Sequence, residues 1–223
     1  MKINVSHISK SFESPDALKT NRVQVLSDIS FEIASGQSLA LFGPSGSGKS
    51  TLLSLIAGFD SPDSGRIQIG DTEISSLNEG DRTQFRLENL SMVFQDYHLI
   101  PYLTALENVM LPLQLRGESQ KSAEEKAHHL LKLIGLTHRT NHFGHQLSGG
   151  ENQRVAFARA FVTQPKVILA DEPSGSLDHE NGKKVIDLLY QLCNENKSTL
   201  VLVTHSLEIA ERSHRVFHFT KKQ

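Results

Sequence analysis

The run Gly43-Pro44-Ser45-Gly46-Ser47-Gly48-Lys49-Ser50-Thr51 has the residue types and spacing of a phosphate cradle. Gly43, Gly46 and Gly48 let the backbone turn its N–H groups inward without a Cβ in the way, and a helix starting near Lys49 aims the positive end of its dipole at the same point. The natural guest is a polyphosphate. Lys49 reaches its β- and γ-phosphates, and the Ser50 hydroxyl takes one position on a magnesium ion that keeps several waters. Such a loop needs a strand before it and a helix after it. The apolar run Leu39 to Phe42 supplies the strand, and Leu52, Leu53, Leu55 and Ile56 recur at helical spacing to supply the helix.

Leu147-Ser148-Gly149-Gly150-Glu151-Asn152-Gln153-Arg154 leads into Val155 to Val162, an alanine-rich run with a helical pattern. Ser148 and the amides of Gly149 and Gly150 form a second anion site at a helix start, by the same dipole argument. Two carboxylates, Asp171 and Glu172, end the continuous apolar strand Val167 to Ala170, where open parallel sheets place their chemistry. Asp171 is placed to hold the magnesium shell, and Glu172 to take a proton from, or orient, an attacking water. A further buried strand, Thr199 to Val203, ends at Thr204-His205, so His205 falls on the same sheet edge as a γ-phosphate contact. Gln95 ends the strand Leu90 to Phe94 and opens a loop. Phe12, at the end of the first strand, suits either stacking on a base or a place in the core. His138, His142 and His145 crowd one loop, but their spacing matches no zinc pattern.

The elements that must position these groups are those of one domain with an inserted lobe. A chain of 223 residues, 38% hydrophobic and 22% charged, buries one good core, and no stretch approaches the length of a spanning helix. A formal charge of −2 argues against a broad basic face for nucleic acid. The start, Met1 to Val5, lacks the apolar region of a secretion signal, and the only cysteine, Cys193, has no partner in the chain; both point to the cytoplasm. Ile3 to Phe12 and Val23 to Ile33 alternate like antiparallel strands around a loop from Glu13 to Asn21. Ser61 to Gly65 is a turn before the short strand Arg66 to Ile69. Asp81 to Asn89 and Ser122 to Ile134 read as helices, the second capped by Gly135. Between them, Asp96 to Pro112 is an unusually apolar connector, either lobe core or a docking surface. The expected organisation is a core of 1–86 and 148–223 with a mostly helical lobe, 87–147. Beyond it come a turn at Ser174 to Asp178, a helix from Asn181 and a last strand at Val216 to Phe219.

In this order the cradle, Gln95, Leu147 to Gln153, Asp171-Glu172, Ser176-Leu177-Asp178 and His205 resemble one family across the whole chain: the nucleotide-binding subunits of ABC transporters. Leu147 to Gln153, which looks like the family signature Leu-Ser-Gly-Gly-x-x-Gln, is the most specific part. The resemblance implies an α/β fold, a P-loop NTPase of ABC type whose mixed sheet core has an antiparallel β edge and an inserted α-helical lobe. It implies ATP and Mg2+ as ligands, and a head-to-tail homodimer in which Ser148, Gly149 and Gly150 of one copy close over ATP held by Gly43 to Thr51 of the other. By the same resemblance Phe12 stacks on adenine, Gln95 senses magnesium and water, Asp178 makes a cross-dimer contact, His205 is a γ-phosphate switch and Glu172 is the general base. Thr104-Ala105-Leu106-Glu107-Asn108-Val109, followed by Leu111-Pro112-Leu113, looks like the subgroup of lipoprotein-releasing, macrolide-efflux and cell-division ATPases. Members of that subgroup drive a separate membrane permease, for export or mechanotransmission. Here it would dock from Gln95 to Leu106 and hold the subunit on the cytoplasmic face of the inner membrane, with no nucleic acid involved. Two positions depart from the common pattern, Asn152 in the signature and Ser174 after the paired acids. The alternative is an ABC-type ATPase of repair or translation, acting on nucleic acid or ribosome; those usually carry two ATPase units or basic arms. A P-loop kinase leaves Leu147 to Gln153 unexplained.

Overall fold

The structure is a computed structural model that describes residues 1–13 and 22–220; the loop expected over 13–21 lies outside the described residues from position 14. The chain divides into two compact units, Met1–Arg86 with Thr199–Gln223, and Leu87–Ser198. In chain order the first unit holds strands β1 (Ile3–Glu13), β2 (Arg22–Ile33) and β3 (Ser38–Phe42), helix α1 (Lys49–Ile56), and strands β4 (Ser64–Ile69) and β5 (Thr72–Glu73). The boundary falls within α2 (Glu79–Asn89). The second unit holds β6 (Leu90–Val93), α3 (Ala105–Leu115), α4 (Gln120–Leu133), α5 (Gly149–Phe161), β7 (Val167–Asp171) and α6 (His179–Asn196). The chain then returns to the first unit through β8 (Thr199–Thr204), α7 (Leu207–Ala210) and β9 (Arg215–His218).

Alternation explains the antiparallel sheet of the first unit, whose strand order is β2-β1-β4-β5. Ile3 and Val5 of β1 lie opposite Ile33 and Phe31 on one side and Ile69 and Ile67 on the other. All six are buried, so the period of two puts one apolar face inward. By contrast β3 and β8 are buried along almost their whole length. They pair in parallel, and β9 flanks β3 on its other side, also parallel. Continuous apolar strands of this kind are what a parallel sheet requires.

In the second unit β6 and β7 pair in parallel, Leu90 opposite Val167 and Val93 opposite Ala170. Val109, Met110 and Leu113 of α3, Ala123, Ala127 and Leu131 of α4, and Val155 and Ala158 of α5 share one buried cluster. The apolar connector expected over Asp96 to Pro112 contains a helix, α3, which runs through Pro112 to Leu115. Thr104 and Glu107 start it with a capping box in which the Thr104 amide donates to Glu107 Oε2 at 2.8 Å. A proline inside a helix costs about 3 kcal/mol, but burying Val109, Met110 and Leu113 returns about 1.5–3 kcal/mol for each side chain. Tertiary burial therefore outweighs the local penalty.

Candidate active site

In the first unit the phosphate cradle is built from the edge of β3. A Cβ on Gly43 would lie 2.6 Å from the carbonyl oxygen of Phe219, and one on Gly48 would lie 2.8 Å from Leu26 Cδ2. Only glycine fits the loop between its neighbouring strands. Gly48 also sits in the left-handed region, φ 97°, as the N-cap of α1, and no side chain caps that helix. A helix start with no side-chain cap favours an anion as partner. Lys49 is only 4% exposed. Its Nζ donates to the carbonyls of Gly43 at 2.9 Å and Pro44 at 2.8 Å, which fix the ammonium at the loop without cancelling its charge. Pro44, Ser45, Gly46 and Ser50 are exposed, Ser47 and Thr51 partly so. Because Phe42 lies opposite Thr204 in the β3–β8 register, His205 emerges beside Gly43 at the C-terminal edge. Phe12 is 42% exposed, and Lys10 Nζ sits 5.2 Å from its ring centroid. The ring belongs to the sheet surface and not to the core, with a cation already drawn to its π face.

The second unit gathers the other sequence-derived positions. Ser148 is the N-cap of α5 and forms a capping box with Glu151: its hydroxyl accepts the Glu151 amide at 3.3 Å and its own amide donates to Glu151 Oε2 at 2.8 Å. Gly149 and Gly150, as the first residues of the helix, have no intrahelical acceptor for their amides. The Ser148 amide first, then the Ser148 side chain and Arg139 Nε, which donates to Oε1 at 3.0 Å, lower the Glu151 carboxyl to about 2. Asp171 ends β7, and Glu172 follows with φ 43°, a left-handed backbone that is costly for a side chain of this kind. The turn after it is closed by the Gly175 amide donating to the Glu172 carbonyl at 2.9 Å. Gln95 lies against that turn: its Nε2 is 3.3 Å from where a Gly175 Cβ would stand, and its carbonyl accepts the Ser176 hydroxyl at 3.0 Å. Asp178 caps α6, accepting the Asn181 amide at 3.0 Å, and that amide is the main cause of its lowered pKa.

Several groups hold this unit together through main-chain partners that the sequence does not reveal. Tyr97 and His98 both have positive φ, 60° and 46°, and Arg159 on α5 donates to both of their carbonyls, at 2.7 Å and 2.5 Å. Burial pulls the Arg159 guanidinium below its ordinary pKa and pushes the Tyr97 phenol above its own. Asn108, fully buried, accepts the Ile100 amide at 2.8 Å and donates to the Leu103 and Thr104 carbonyls at 3.0 Å. The loop after Gln95 is therefore fastened at both ends, and Tyr102 projects from it 88% exposed. Its apolar residues suit either lobe core or a docking surface in the sequence; backbone carbonyls as partners for Arg159 and Asn108 leave no pattern there.

A glycine loop between a parallel strand and an uncapped helix, with a buried lysine at its first helical position, defines a P-loop nucleotide-binding protein. Family comparison narrows the class: residues 26–175 match the model of the ABC transporter family, and the chain belongs to that family. It is 51% identical over 197 residues to the lipoprotein-releasing system ATP-binding protein LolD of Legionella pneumophila (strain Paris), covering 88% of this chain and 87% of that one. It is 44% identical over 215 residues to the ABC transporter ATP-binding protein YtrE of Bacillus subtilis (strain 168), covering 96% and 93%. Among solved structures, a dimeric post-hydrolysis ATP-binding cassette bound to ADP and Pi superposes with a TM-score of 0.88 at 35% identity, covering 98% of this chain and 94% of that one. The chain is thus an ATP-binding ABC subunit and an ATPase. Among the described residues no helix is long and apolar enough to cross a membrane.

Proposed function

We propose that the chain hydrolyses ATP in a head-to-tail homodimer and thereby drives a separate membrane permease of the export or mechanotransmission type. The observation that carries this reading is a pair of helix starts, one in each unit: α1, uncapped and begun by a buried lysine, and α5, begun by Ser148, Gly149 and Gly150. In the proposed dimer the first start holds ATP through Gly43 to Thr51, and the second, from the other copy, takes the γ-phosphate. Phe12 stacks on the adenine. Ser50 of the first unit and Gln95 and Asp171 of the second are the residues that would offer hydroxyl, amide and carboxylate oxygens to Mg2+, a hard cation that would offset the charge building on the phosphates. Glu172 takes the proton of the attacking water as the new P–O bond forms and the bond to the leaving ADP breaks; His205 holds the γ-phosphate and Lys49 the β- and γ-oxygens. Asp178 faces the second copy. ATP touches both copies only when they close, so its binding favours closure and its hydrolysis releases it.

The permease would dock on the loop from Gln95 to Leu106, whose exposed Ile100 and Tyr102 offer apolar contact. That docking would hold the subunit peripherally on the cytoplasmic face of the inner membrane. The identity to a lipoprotein-releasing ATP-binding protein supports a place in that type of system. The test is Glu172→Gln, which keeps the shape of the side chain and removes the base. Light scattering with saturating ATP is expected to show the variant moving from 24.7 kDa to twice that mass. A variant that stays monomeric at saturating ATP would contradict the closed dimer.

A further inference from the structure

The start of α5 contains an electrostatic conflict. An anion approaching the Gly149 and Gly150 amides and the Ser148 hydroxyl is drawn by the helix dipole, yet Glu151 places a carboxylate within the same first turn. Both of its oxygens are engaged: Oε2 accepts the Ser148 amide at 2.8 Å, and Oε1 accepts Arg139 Nε at 3.0 Å. Arg139 ends the short turn Thr137–Arg139, and its Nη1 donates to His142 Nε2 at 3.2 Å, which fixes the guanidinium from the far side. The Glu151 side chain is only 14% exposed and that of Arg139 35%, so solvent screens the pair less than an open surface pair. Without the arginine, a carboxylate would face the incoming phosphate with its charge uncompensated and its orientation unfixed.

We propose that Arg139 is a positioning residue of the phosphate site completed by a second copy: it neutralises Glu151 and holds its carboxylate back against the Ser148 amide, so that the start of α5 accepts the γ-phosphate bound by the other chain. The inference rests on the head-to-tail reading above. It separates Arg139 from the residues that touch ATP, since its whole effect passes through Glu151.

The test uses the full chain in the Glu172→Gln background and reads the ATP concentration at which half of the protein is dimeric. Arg139→Gln is expected to raise that midpoint about tenfold at low salt, with the difference shrinking as salt is added, while Arg139→Lys keeps most of the wild-type value. Arg139→Gln combined with Glu151→Gln removes both charges and is expected to return the midpoint to within about threefold of the parent. A midpoint unmoved by Arg139→Gln overturns the proposal. So does a double variant as impaired as the single one, because that outcome assigns Arg139 to the fold alone. Where Arg139→Gln fails to fold, Glu151→Gln by itself decides: it keeps the capping-box bonds, leaves the arginine charge uncompensated and is expected to lower the midpoint, and a raised midpoint overturns the proposal. A Glu172→Gln parent that never dimerises overturns the head-to-tail reading itself, whatever Arg139 does.

Discussion

Glu151 shows how much one side chain does at the start of α5. Its carboxyl accepts the Ser148 amide, accepts Arg139 and titrates at about 2 instead of 4.5. Between those values the folded state binds fewer protons than the unfolded chain. The carboxylate therefore contributes stability that is complete above pH 4.5 and is lost as the pH falls toward 2. Glutamine at this position keeps the neutral form of the capping box, so comparison with Glu151→Gln isolates the charge. Urea unfolding from about pH 6 down to about pH 3 is expected to show wild type the more stable at the upper end, with the advantage narrowing steadily below pH 5. A gap independent of pH would mean that the charge contributes nothing. Glu172 presents the opposite case, a residue held at φ 43° immediately before Pro173. Left-handed backbone at a non-glycine residue costs roughly 1–3 kcal/mol, and such strain persists where its surroundings fix the conformation. Here the proposed base is aimed by that backbone.

At the scale of elements, the loop between β6 and α3 depends on contacts from α5. Two consecutive residues, Tyr97 and His98, adopt left-handed conformations, and Arg159 bonds both carbonyls with one planar fork. Arg159→Met should destabilise the chain by about 2–4 kcal/mol, because two charge-assisted bonds are lost and two carbonyls are left wanting. Faster amide exchange confined to residues 96–100 would accompany it. Arg159→Lys should recover only part, since an ammonium cannot reproduce the fork. A loss below about 0.5 kcal/mol in urea would show that the loop holds its shape unaided. The same region marks where the sequence could be read and where it could not. The cradle announces itself because backbone geometry and close packing demand glycine at Gly43 and Gly48, the start of α5 through its Leu-Ser-Gly-Gly run, and β3 and β8 because a parallel sheet demands unbroken apolar runs. Helix α3 hides behind Pro112 and a density of apolar residues that suits a surface equally well. The positive φ of Tyr97 and His98 has no signature in residue type, and neither does an arginine whose partners are main-chain carbonyls.

For the whole molecule, the fold distributes the two helix starts over two units, with the glycine loop and His205 in one and Ser148, Glu172 and Gln95 in the other. A chain that used both starts on its own nucleotide would need no second copy. A chain that lends α5 to a neighbour makes hydrolysis a property of the pair, and so a means of converting ATP turnover into opening and closing. Family membership and the likeness to a dimeric cassette bound to ADP and Pi are in keeping with the second arrangement. Complementation separates the two most directly. Lys49→Ala disables the cradle, and Ser148→Arg disables the start of α5. Each variant alone should be inactive in either scheme. Mixed in equal amounts, they form a heterodimer with one intact cradle facing one intact α5, and the account predicts ATPase activity well above the sum of the two separate preparations. A mixture no more active than its components, although light scattering shows that the chains associate, would place both helix starts on the same nucleotide and contradict the shared site.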